Sequence, residues 1–338
     1  MVKGEQKSVS CGTLKKPDFL NRVRGRLIYY FDLVPPRHFW PIFISFLRYG
    51  VKQAVYAARY RDQIDASLES HFNFKRAHYL EKAISLKLPR GPEGDSIFKT
   101  LKSYVASPTG LSDPCLPYLN KIVREYAAYP NDFQCFMQTV PFEKPSPEEA
   151  EILRNVIVQR RSIRQFQPEP VATHLIEQVV EAGRYAPSSC NAQPLVLVST
   201  TDRQTIDVLF WAALGARDWR AAIPTAIVVA VDRRHYKPFE QHLVMAQDVA
   251  AATQNILLMA HALGLAACWV SLISDMHMQG QRKVYSQLQL PPYIFVGAAI
   301  AVGYPVSAVC EVPRRPLNQV WFLERFDGNK EGSATKTI

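Results

Sequence analysis

The 338 residues are 48% hydrophobic and 21% charged, an ordinary globular composition that excludes a wholly disordered chain. The formal net charge of +10 is uneven: residues 1–61 hold 12 Lys and Arg against 3 Asp and Glu, and the remainder holds 28 against 27. Six scattered cysteines form no C-x-x-C pair and no close Cys/His cluster, which argues against a zinc site or a disulfide framework and suits a reducing, cytoplasmic setting.

Residues 1–36 read as a loose basic arm ending at Pro35-Pro36, without the apolar stretch and small-residue cleavage site of a secretory signal. The longest apolar run, Trp40 to Leu47, is cut short by Arg48 and Lys52, far below the roughly 20 residues that span a bilayer. Residues 37–61 fit peripheral contact with the inner face of an anionic membrane, and fit better a helix packed on the protein's own core, since short apolar runs are usually core. No nucleic-acid partner is expected.

Apolar spacing predicts helix over residues 40–85, then a Pro- and Gly-broken stretch to Pro117 with a short helix around 97–105. A Pro-bearing segment from Pro130 to Pro147 marks a boundary. Ser146, Pro147 and Glu149 then form a capping-box signature for a new helix, with Ile152, Val156 and Ile157 on one face. A second helix is expected over 173–182. Strands are expected at 195–200, 226–231, 268–272 and 294–302, a buried Ala-rich helix at 244–263 and a short helix at 282–288. Strands separated by helices give an α+β or α/β sheet core.

Two segments carry the chemistry. Arg160-Arg161-Ser162-Ile163-Arg164-Gln165-Phe166 sets three guanidiniums and a hydroxyl within five residues, an anion site or a solvated basic patch. If extended, it sends Arg160, Ser162 and Arg164 to one side. Pro187-Ser188-Ser189-Cys190-Asn191-Ala192-Gln193-Pro194 is a proline-bracketed loop dense in small polar side chains, suited to a planar polar ligand or simply to a turn. Cys190 reads as a small packed cysteine, and His174 and His261 as ordinary helical histidines.

Together these motifs, in this order and followed by Ala262-Leu-Gly-Leu265, Cys268-Trp-Val-Ser271, Val296 to Pro305 and Arg314-Arg315-Pro316-Leu317, resemble the nitroreductase family of flavoproteins over about residues 146–325. The resemblance implies an α+β fold: a mixed sheet flanked by helices, in an intertwined homodimer. It implies FMN as cofactor and NADH or NADPH as donor, and no metal. The division would be a basic, mostly helical extension at 1–145, an FMN domain at 146–328 and a tail at 329–338.

The family's roles map onto this sequence position by position. Arg160, Arg161 and Ser162, joined by Arg314, would hold the FMN phosphate. Arg164 would reach the polar edge of the isoalloxazine ring. Pro187, Ser188, Ser189 and Asn191 would come from the partner subunit. Trp269, Val270 and Ser271 would run beside the ring with a backbone amide near N5, which makes Arg164 and Ser271 the catalytic candidates. Leu195 stands where many members have an aromatic residue, and Ser271-Leu272 replaces a glycine-bearing turn, so the substrate pocket departs from the family pattern. The implied activity is hydride transfer from NAD(P)H to FMN and reduction of a second small molecule, such as a nitro compound, a quinone or a biosynthetic intermediate. The alternatives are a specialised flavoenzyme of the same fold (dehydrogenase, oxidase, dehalogenase or flavin-consuming) and a flavin-binding scaffold without turnover.

Overall fold

Leu68, Ala77, Leu80 and Ile84 recur at helical spacing and are all buried, which explains the first described element, α1 (Ala66–Ser85). The computed structural model describes residues 66–86, 88, 90–129, 143–236, 243–272, 278–306 and 312–326, all within one compact unit that runs from Tyr60 to Ile338. The loose arm, residues 37–61 and most of the Pro130–Pro147 boundary lie outside these residues. No helix among the described residues is long and apolar enough to cross a membrane.

Three more helices follow: α2 (Pro92–Val105), α3 (Pro108–Leu111) and α4 (Leu116–Ala128). Each has proline in its first turn, where the missing N–H costs nothing. Leu101, Tyr104, Leu119, Ile122 and Tyr126 close with α1 into a core of their own.

The second core is built on a sheet. β1 (Leu195–Thr200), β2 (Thr225–Asp232), β3 (Ala266–Ser271) and β4 (Ile294–Gly303) stand in the order β1-β2-β4-β3, all neighbours antiparallel. A parallel element enters through Ser162, which bridges Ala267 on the open edge of β3. β2 is buried at every residue, as its β-branched run requires when both faces are covered. On one face lie α6 (Thr173–Arg184) and α8 (Val244–Ala262), on the other α7 (Arg203–Ala212) and α9 (Met278–Gln287).

α5 (Pro147–Gln159) begins with the expected capping box: Glu149 N donates to Ser146 Oγ at 3.2 Å, and Ser146 N donates to Glu149 Oε2 at 2.7 Å. No residue of α5 is buried, and Ile152, Leu153, Ile157 and Val158 are exposed.

α6 packs on α8 where Gly183 faces Ile256; a Cβ at Gly183 would stand 2.8 Å from Ile256 Cγ1 and 2.9 Å from Cδ1. Overpacking costs about 1–3 kcal/mol, offset in part by a helix-propensity gain of about 1 kcal/mol. Gly183→Ala is therefore expected to lose roughly 1 kcal/mol in urea unfolding. Gly215→Ala, which meets nothing within 4 Å, serves as the control. A Gly183→Ala variant as stable as the parent would show that Ile256 repacks freely.

Candidate functional site

The Arg160–Phe166 segment leaves α5 in extended conformation, with Arg160 at φ −56° and ψ 132°. It meets the sheet on the open edge of β3, where Ile163 N donates to Ala267 O at 3.1 Å. The period-two reading is matched: Ile163 packs into the core, and Ser162 and Arg164 face out. Since Ala267 turns its carbonyl to this edge, strand alternation turns the backbone groups of Trp269 and Ser271 the same way. Val270 is buried between them, while Trp269 and Ser271 are exposed.

The guanidiniums here are uncommitted. Elsewhere arginines pair with carboxylates: Arg90 with Asp95, Arg154 with Glu151, Arg203 with Asp207 and Arg234 with Asp232. Among the described residues, no ion pair reaches Arg160, Arg161, Arg164 or Arg314. Arg161 donates to the carbonyls of Val158 and Arg160, and Arg164 only to Ser162 O at 3.5 Å. Burial raises the Cys268 thiol, while Arg164, Ser162 and Arg160 draw it back down, so the strip lies over β3. Burial lowers the His261 imidazole, and Arg160 and Arg161 lower it further. His261, on the last turn of α8, thus joins the cationic cluster; nothing in its sequence spacing marks it. Arg314 is exposed on the C-terminal arm, and no hydrogen bond among the described residues links it to Arg160–Arg164.

The second motif is a strained loop. Its 3-10 turn spans Ser189–Asn191, and Cys190, Asn191 and Gln193 adopt φ of 51°, 50° and 48°. Left-handed backbone at non-glycine residues costs about 1–2 kcal/mol each and persists where surroundings enforce it. Enforcement comes from buried Asp248: its Oδ1 and Oδ2 accept from Ser189 N at 3.1 and 3.3 Å, and Oδ2 also accepts from Tyr236 Oη at 2.7 Å. Within the loop, Gln193 N donates to Ser188 Oγ at 2.9 Å. Cys190 is exposed on this turn rather than packed as the sequence suggests. Helix α1 packs against this turn, so the helical extension reaches the loop directly.

A cationic strip on an open sheet edge offers guanidiniums and a hydroxyl to a phosphate-bearing ligand. The model of the nitroreductase family matches residues 157–304. A protein of Archaeoglobus fulgidus, provisionally named an NADH dehydrogenase/NAD(P)H nitroreductase, is 32% identical over 152 residues, 44% of this chain and 83% of the relative. The Bacillus subtilis FMN reductase [NAD(P)H] is 25% identical over 185 residues, 50% of this chain and 72% of the relative. A solved Desulfovibrio desulfuricans nitroreductase in complex with FMN is 30% identical, covering 54% of this chain and all 100% of that one, at a TM-score of 0.45. The chain belongs to the nitroreductase family and carries a helical extension in front of the matched region.

Proposed function

We propose that this protein is an FMN-dependent NAD(P)H oxidoreductase that passes electrons to a second small-molecule substrate. The carrying observation is the set of arginines along the open edge of β3 that have no acidic partner among the described residues. That donor set fits FMN: guanidiniums and a hydroxyl for a phosphate dianion, and exposed strand backbone for a flat ring. When bound, FMN supplies the two-electron chemistry, accepting hydride at N5. Arg160, Arg161 and Ser162 would hold the phosphate, with Arg314 of the C-terminal arm as a further donor. Arg164 keeps a permanent positive charge at the ring's polar edge. Trp269 would flank the ring, and the outward amide of Ser271 would offer it a hydrogen bond; Val270, whose side chain is buried in the core, would support the strand from behind. Exclusion of water and fixed orientation are the remaining contributions of the protein.

The site is completed in a homodimer. α5 has an unpartnered apolar face, with Ile152 64% exposed. The C-terminal arm exposes Leu317, Trp321, Leu323 and Phe326, the last at 78%. Large apolar side chains exposed in this number mark an interface, and the occupant we assign is a second copy. Its Pro187, Ser188, Ser189 and Asn191 then line the partner's flavin.

An absorption spectrum of the purified full chain, followed by anaerobic NADH and NADPH, tests this reading. A flavin spectrum that either nicotinamide bleaches is expected. A yellow protein that neither bleaches would make it a flavin-binding scaffold, and a colourless protein that FMN cannot reconstitute would end the proposal.

His261 provides a second measurement. Its folded value lies below the ordinary histidine value of about 6.5, so the neutral ring is favoured. Its contribution to stability is whole above that ordinary value and is lost as pH falls through the depressed one. A phosphate seated between Arg160 and Arg161 cancels their repulsion. The NMR titration of His261 is therefore expected to move upward when FMN is added to the flavin-free protein. A midpoint that FMN leaves in place would remove His261 from the anion site.

A further inference from the structure

The helical extension does more than touch the strained loop. Between them lies a cavity of about 340 Å³, separate from the arginine strip. One wall is α1, through Ser70, His71 and Phe74; the opposite wall comes from Tyr104 of α2, Thr109 of α3 and the turn 112–115 that follows α3; Gln193 of the loop closes it. This volume falls within the range of small-molecule sites.

We propose that this cavity is a binding site for an uncharged, planar ring compound, created by the extension at the edge of the flavin loop. Its chemistry selects that class. Among the described residues no lysine or arginine lines it, so a phosphate or carboxylate finds no cation there. Its one carboxylate, Asp113, is buried and already engaged: Oδ2 accepts from Tyr104 Oη at 2.7 Å and Oδ1 from Cys115 N at 2.7 Å. With both oxygens occupied and the side chain buried, Asp113 offers no exposed acceptor for an ion pair with a cation, while its charge disfavours an anion.

The aromatic walls are held in place. Phe74 stacks on Tyr118 at 4.8 Å, and His71 stands edge-on to His235 at 4.5 Å, so flat surfaces are presented at little entropic cost. Lys75 ties α1 to the same place by donating to His235 O at 2.8 Å. Gln193, the third left-handed residue of the loop, brings an amide that can both donate and accept. Strain at that residue is maintained next to a cavity that the cofactor contacts described above do not use.

The test is equilibrium dialysis of the full-length protein against 2-naphthol, a neutral two-ring probe, and against its charged counterpart 2-naphthalenesulfonate. Ala66→Trp and Ser112→Trp fill the cavity from opposite sides at exposed positions that line it. The expected result is saturable 2-naphthol binding that weakens at least tenfold in both variants, with the sulfonate at least tenfold weaker in the parent. Thr100→Trp, exposed on α2 and outside the lining, should bind as the parent does. Absent 2-naphthol binding, equal binding by both cavity-filled variants, or equal binding of the sulfonate would overturn the proposal. A colourless protein that still binds 2-naphthol in this pattern would sink the flavin reading and leave this one standing.

Discussion

Arg160→Ala is expected to weaken FMN binding by roughly 10- to 100-fold, measured by fluorescence titration of the flavin-free protein. A hydrogen bond to a charged group is worth about 1.5–3 kcal/mol, and every 1.4 kcal/mol is about tenfold in affinity. No internal ion pair competes for this guanidinium among the described residues, so the whole contact is lost on truncation. Arg160→Lys should recover part of the affinity, because an ammonium keeps the charge and gives up the planar fork. Arg314→Ala should fall in the same direction, since its place on the exposed arm leaves it available to a ligand. Unchanged affinity in both alanine variants would refute the phosphate assignment.

The second large effect is expected at a residue that touches no cofactor. Asp248→Ala removes the carboxylate that accepts from the Ser189 amide and the Tyr236 hydroxyl. Each charge-assisted hydrogen bond lost costs about 1.5–3 kcal/mol, so a loss on the order of 3 kcal/mol is expected, with Tm falling by roughly 10 °C. FMN retention should fall with it, because the left-handed conformations of Cys190, Asn191 and Gln193 lose the anchor at Ser189. Asp248→Asn keeps one acceptor oxygen and should recover about half of the stability. Burial lifts the Asp248 carboxyl, while Tyr236 and Ser189 pull it back, which identifies the network as the group's main stabilising partner. If Asp248→Ala melts like the parent and keeps its flavin, the loop is held by its prolines instead.

Legibility followed locality. The capping box at Ser146, strand β1 and the Ala-rich helix α8 were readable because each depends on side chains within a few residues or on one period of apolar spacing. Helices α4 and α7 escaped that reading. In α7 a signal was present: Asp202 caps the helix by accepting from Thr205 N at 2.8 Å. In α4 the three buried positions Leu119, Ile122 and Tyr126 sit among polar residues right behind a proline-rich stretch, which reads as a break. The 97–105 helix begins at Pro92 instead, because proline at the first position extends a helix backward where propensity suggests a stop.

For the site, the sequence by itself determined which chemical groups are available: the cationic run Arg160–Arg164, the small polar loop and their order along the chain. The tertiary structure alone decided what those groups face. Placing Ser162 on the edge of β3 takes a bridge to Ala267, 105 positions later in the chain, and the ionic freedom of the arginines depends on no carboxylate folding back near them. The same holds for His261 beside Arg160, for Asp248 beneath Ser189, and for α1 against the loop. Hydrogen bonds, charge–charge terms and packing all act over a few ångströms in space, and spacing along the chain records those distances only within a single helix or strand.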